Sequence, residues 1–148
     1  MERKWAWRHP RSKRAVDSSA PQAINEWLLG PTALGYTIAK NLVARWDGVG
    51  VNVGSCGPGC YSTWQLGQVM FVMRVYGYDT STSPIALNNG LVTTYSAVFS
   101  SMESELWSLQ FPASGISGQV FGFLPNGYTS SGPITGSHDP ENQDSHHY

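Results

Sequence analysis

The chain has 148 residues, of which 41 % are hydrophobic and only 13 % charged, with a net charge of −1. This is the size of one domain with an ordinary core, and its charge density is about half that of an average soluble domain. No apolar run is long enough to cross a bilayer, which excludes a membrane-spanning helix. A surface poor in Lys and Glu resembles an interface more than the exterior of a freely diffusing monomer; a Gly/Ser-rich β protein would share this composition.

The charges are unevenly placed. Arg3, Lys4, Arg8, Arg11, Lys13 and Arg14 lie at the start, whereas Lys40, Arg45 and Arg74 are the remaining cations. The other end is acidic, with Asp139, Glu141 and Asp144. Residues 1–20 read as an extended basic arm, since Pro10 interrupts any amphipathic helix there. The same segment lacks the apolar stretch of a secretory signal, so the expected location is where the protein is made.

Asp17-Ser18-Ser19-Ala20-Pro21 has the composition of a helix start. Ile24, Trp27 and Leu28 then share a helical face, and Gly30-Pro31 stops it. A second helix is expected over 32–46, with Thr32 as N-cap and Leu34, Ile38, Leu42 and Trp46 as a buried stripe. Val49, Val51 and Val53 alternate with small or polar residues, as in a half-buried strand. Residues 64–78, rich in Val, Phe, Tyr and Met, read as a long central strand with apolar residues on both faces.

The segment 85–109 fits two structures. Leu91, Tyr95, Val98, Phe99, Met102 and Leu106 make a helical stripe, while Val92-Thr93-Thr94-Tyr95 suits a strand. The length of the stripe favours the helix. Residues 118–124 read as a last strand, turned by Pro125-Asn126-Gly127, and 129–148 as a polar acidic tail. The expected fold is α+β: a small antiparallel sheet packed with two helices in a single domain at 21–128, flanked by arms at 1–20 and 129–148. If 85–109 were extended, the fold would be mostly β and jelly-roll-like.

Catalytic chemistry finds no support in the sequence. All four histidines (His9, His138, His146 and His147) lie in the terminal segments, so no nucleophile has a neighbouring base inside the domain. Glu103 and Glu105 are two apart and diverge on a helix. The acidic, His-bearing tail has metal-ligand types but no apolar anchor to hold them rigid. The expectation is no catalytic residue, no metal and no cofactor. Cys56 and Cys60 frame Gly57-Pro58-Gly59, three residues where the redox motif has two. They read as a structural turn, either disulfide-bonded or as free thiols, rather than a redox centre.

The N-terminal arm is the informative patch. Its six cations suit phosphates, and Trp5, Trp7 and His9 suit base stacking. The same residues suit an arm that docks on a neighbouring subunit with its tryptophans as anchors; a solvated leader is the plain alternative. The candidate contact residues are therefore Arg3, Lys4, Trp5, Trp7, Arg8, Arg11, Lys13 and Arg14.

The order of elements, a long strand followed by a helix, resembles the small proteins that build the neck and tail end of tailed phages. Tail terminators of that group form rings of α+β subunits. The resemblance covers roughly the middle 100 residues and carries over no functional residue. The extended arm departs from that pattern and fits a small coat or cement protein equally well. The resemblance implies a non-enzymatic virion subunit, assembled in a host cytoplasm, whose partners are copies of itself and other assembly subunits. The alternative is a cytoplasmic nucleic-acid-binding protein working through the arm, and neither reading needs a membrane.

Overall fold

The computed structural model describes residues 11–51, 59–110, 125 and 127–133. Among the described residues, four helices and two small antiparallel sheets make an α+β fold. The first helix, α1 (Arg11–Leu28), buries Val16, Ala20 and Ala23 and half-buries Ile24 and Trp27, which is one face at helical spacing. It corrects the expectation of an extended arm through residue 20: residues 11–20 are helical, so Asp17 lies within the helix and is no cap. Pro21 sits inside the helix, where it removes one backbone donor.

Gly30, at φ +93°, ends the α1 turn in the left-handed region where glycine is favoured. Thr32 then caps α2 (Ala33–Val43), its Oγ1 accepting from the Gly35 amide at 3.0 Å and its hydroxyl donating to Glu26 of α1. The expected stripe is buried only in part. Leu42 and Trp46 are buried, Ile38 is half-buried, and Leu34 is 51 % exposed. Four-residue steps advance slowly around a helix, so the first member of the row rotates off the buried face. Ala39 and Val43 are buried beside Leu42.

The second correction concerns residues 64–78. The chain there forms only a short strand, β1 (Cys60–Ser62), and then a helix, α3 (Thr63–Val75). Leu66, Val69, Val72, Met73 and Tyr76 are buried at steps of three, three, one and three, while Phe71 and Arg74 face solvent. β-branched content suggested a strand, but burial follows the 3.6-residue period. Packing of an apolar face outweighs the small propensity cost of valine in a helix.

Residues 85–109 contain both of the expected structures. Strands β2 (Pro84–Ala86) and β3 (Val92–Thr94) form a hairpin, and α4 (Tyr95–Leu109) follows with Tyr95, Val98, Phe99, Met102 and Leu109 buried. Thr94 caps α4 by accepting from the Ala97 amide at 3.2 Å. The chain returns in β4 (Gly127–Thr129) and β5 (Gly132–Pro133), and β4 pairs with β1 through the register Tyr61↔Tyr128. Residues 49–51, expected to start a strand, are outside any strand. Strands β4 and β5 correct the expected tail at 129–148, since Thr129, Gly132 and Pro133 are paired in the sheet; the expected strand at 118–124 and residues 134–148 lie outside the described residues.

Candidate docking surface

Helix α1 is tied to α3 by polar contacts at two depths. Gln65 Nε2 donates to Asp17 Oδ1 at 2.8 Å, and the Tyr76 hydroxyl donates to the Ala23 carbonyl at 2.7 Å. Gln65 is almost wholly buried, so this bond satisfies a polar group that would otherwise destabilise the core. Tyr76 also meets Trp27 edge-on at 4.9 Å and Tyr36 at 5.3 Å, and Tyr78 stacks on Tyr95 at 4.0 Å. Burial pushes the phenols of Tyr76, Tyr78 and Tyr95 above the usual tyrosine range.

A second locked region surrounds Asp47. Its Oδ1 accepts from the Val49 and Gly50 amides, both at 2.9 Å, and its Oδ2 accepts from the Tyr61 hydroxyl at 2.7 Å. The Tyr128 hydroxyl donates to the Val49 carbonyl. The Asp47 bond, with burial adding to it, raises the Tyr61 phenol to about 12. These groups are mutually satisfied and hold β4 against the 47–50 turn. Beside them a shallow polar recess of about 380 Å³ is lined by Trp46, Ser101, Ser104 and Glu105, and burial raises the Glu105 carboxyl.

The α1–α3 seam differs. A largely apolar groove of about 300 Å³ opens there between Pro21, Ile24 and Asn25 of α1 and Gln68, Phe71 and Val72 of α3. Phe71 is 59 % exposed at its edge. Gln68 Oε1 is buried and accepts no hydrogen bond. An unmade bond of this kind costs about 1–3 kcal/mol, and the exposed Asn25 side chain adds a second amide to the groove lining. The reading of 64–78 as a strand hid it. Taken at helical period, Trp64, Gln68, Phe71 and Val75 share one face, and that signal would have found it.

Of the candidate contact residues, Arg11, Lys13 and Arg14 lie in the first turns of α1, whereas Arg3, Lys4, Trp5, Trp7 and Arg8 lie outside the described residues. Two of the three other cations are engaged: Arg45 Nε donates to the Val51 carbonyl at 3.0 Å, and Arg74 pairs with Asp79 at 3.3 Å. Cys60 is disulfide-bonded, and Cys56, the chain's other cysteine, is outside the described residues. Large apolar side chains are exposed elsewhere too. Leu28, Leu29 and Leu34 lie at the α1–α2 corner, Leu91 and Val92 on the hairpin, and Trp107 on α4.

Among the described residues no cluster of three His, Cys, Asp or Glu has metal-holding geometry, and no helix is long and apolar enough to cross a membrane. No protein-family model matches the chain, and no curated protein or solved structure matches it either.

Proposed function

We propose that the chain is a non-enzymatic structural subunit that assembles with copies of itself, using its N-terminal segment as the docking element. The observation that carries this reading is the described surface: nine large hydrophobic side chains are exposed on it, from Leu34 at 51 % to Leu28 at 75 % among the aliphatics of α1 and α2. Scattered exposed apolar residues are ordinary; here they gather at a helix corner, on a hairpin and beside a groove, in a chain poor in charge, as at subunit interfaces. A virion is the setting the phage resemblance implies. The test is native mass. Light scattering across a concentration series should give a particle several times the 16.2 kDa chain, and a monomer at every concentration overturns the reading.

A second reading, phosphate binding, rests on the six cations among residues 3–14. Binding to DNA or RNA would weaken steeply as salt rises. Charge reversal at Arg11, Lys13 and Arg14 would abolish it, whereas in the assembly reading the same change mainly slows association.

A further inference from the structure

Helix α3 turns one apolar face outward. Trp64, Gln68, Phe71 and Val75 stand on it at helical spacing, and Trp64 and Phe71 are 62 % and 59 % exposed. On α1, Pro21, Asn25 and Leu28 repeat at the same spacing, and Leu28 is 75 % exposed. The two helices run in the same direction, because Gln65 meets Asp17 and, further along both, residues 68–72 line a groove with residues 20–25. The result is one continuous two-helix face.

Its area suits a protein partner. A standard interface buries about 800 Å² on each side, a little over half of it apolar. A large aromatic carries about 150–250 Å², so Trp64 and Phe71 offer roughly 180–300 Å² between them, about half of that apolar share. Leu28 adds to it.

The face also complements its own reversed copy. On α3 the row is symmetric about its midpoint, with Trp64 and Val75 at the ends and Gln68 and Phe71 inside. A two-fold axis across the middle therefore sets Trp64 against the partner's Val75 and Phe71 against the partner's Gln68. Charge selects the same orientation. The first four residues of α1 include Arg11, Lys13 and Arg14, and its other charges, Asp17 and Glu26, are carboxylates further along. Copies laid parallel would bring like charges and like helix ends together. Reversal carries the cationic start of one α1 toward the carboxylate end of the other, and it opposes the aligned dipoles of α1 and α3.

We propose that the outward face of α1 and α3 is a two-fold contact between copies of the chain, packed antiparallel with Phe71 beside the axis. This rests on the assembly reading above and adds to the N-terminal segment a second contact, made by two helices. An isologous contact closes at two copies, so the N-terminal segment joins such pairs into the larger particle.

The full-length protein tests it. Phe71→Glu places a charge beside the axis in both copies. At so exposed a site it should shift the melting temperature of the dilute, dissociated chain by no more than about 2 °C. Pairing should nonetheless weaken by at least about 100-fold, since each copy loses a buried aromatic. Trp64→Ala should weaken it by about 10-fold. A particle that persists unchanged with Phe71→Glu overturns this contact and leaves the assembly reading standing. An unaltered chain that stays monomeric at every concentration overturns both.

Orientation is read separately. A benzophenone side chain at position 64, in light- and heavy-nitrogen chains combined while dissociated, should give mixed-isotope crosslinks to residues 72–78. Within one chain, residue 75 lies about 16 Å along the same helix from residue 64, too far for that probe. Mixed crosslinks to residues 61–67 would show a parallel pair, and crosslinks confined to single-isotope pairs would show that the chain's own terminal segment covers the face. Either result overturns the proposal.

Discussion

Gly35→Ala sets two effects of opposite sign against each other. Gly35 lies in the first turn of α2, where alanine is intrinsically better by up to about 1 kcal/mol. A Cβ there, however, would stand 2.3 Å from the Tyr76 hydroxyl oxygen and 2.8 Å from Glu26 Cβ. Neither neighbour yields easily. The Tyr76 hydroxyl is held by the Ala23 carbonyl at 2.7 Å, and Glu26 Cβ is one bond from the α1 backbone. Forcing an extra methyl into such a seam costs about 1–3 kcal/mol. Packing therefore wins, with a net loss of about 1–2 kcal/mol, each kcal/mol being about 2–4 °C in melting temperature at this chain size. Gly67→Ala in α3 is the control, because nothing lies within 4 Å of the added Cβ. It should stabilise by about 0.5–1 kcal/mol through propensity alone. Urea titration of both variants measures the pair. A Gly35→Ala chain as stable as its parent would refute the close α1–α2–Tyr76 packing.

Leu42→Ala should cost about 2–5 kcal/mol, since Leu42 is 2 % exposed in the core; thermal unfolding checks it. Alkaline stability should fall above pH 10. The Tyr61 phenol rises from 10.0 to about 12 in the fold, so between those values the unfolded chain has lost a proton that the native chain keeps, and stability decreases as pH rises. Tyr61→Phe should flatten the slope of stability against pH in that window. An unchanged slope would show that the Asp47 bond does not hold the phenol proton.

Where local signals and packing agree, the fold is legible in the sequence. Gly30-Pro31 ends α1, and Thr32 caps α2, because a left-handed turn and a capping hydroxyl act within a few residues. The α4 stripe from Tyr95 to Leu106 also reads directly. The failure at 64–78 has a definite cause. A segment apolar on most sides satisfies both the period of two and the period of 3.6, and β-branched residues tip the choice toward a strand. What settles it is the partner: α1 offers a continuous face, Val16, Ala20 and Ala23, against which a helix can pack. That face was itself obscured, because Pro10 and the basic residues around it read as an extended arm, and Asp17 to Pro21 as the start of a helix rather than its middle.

The candidate site was illegible for a related reason. Gln65 and Gln68 are one helical turn apart on α3, and the sequence does not distinguish them. The structure gives them opposite fates. Gln65 faces Asp17, whose carboxylate accepts a hydrogen bond from the Gln65 amide at 2.8 Å. Gln68 lines the groove opposite Pro21, Ile24 and Asn25, and its Oε1 is buried with no donor. For folding alone, a leucine at 68 would serve better, since buried unpaired acceptors are rare in native proteins. Local departures from what folding favours are commonest at functional positions, where stability has been traded for contact. Two such departures, a proline inside a helix and a buried amide oxygen with no donor, stand on the two sides of one groove, so the α1–α3 seam is a place where this fold does not follow what packing alone would select.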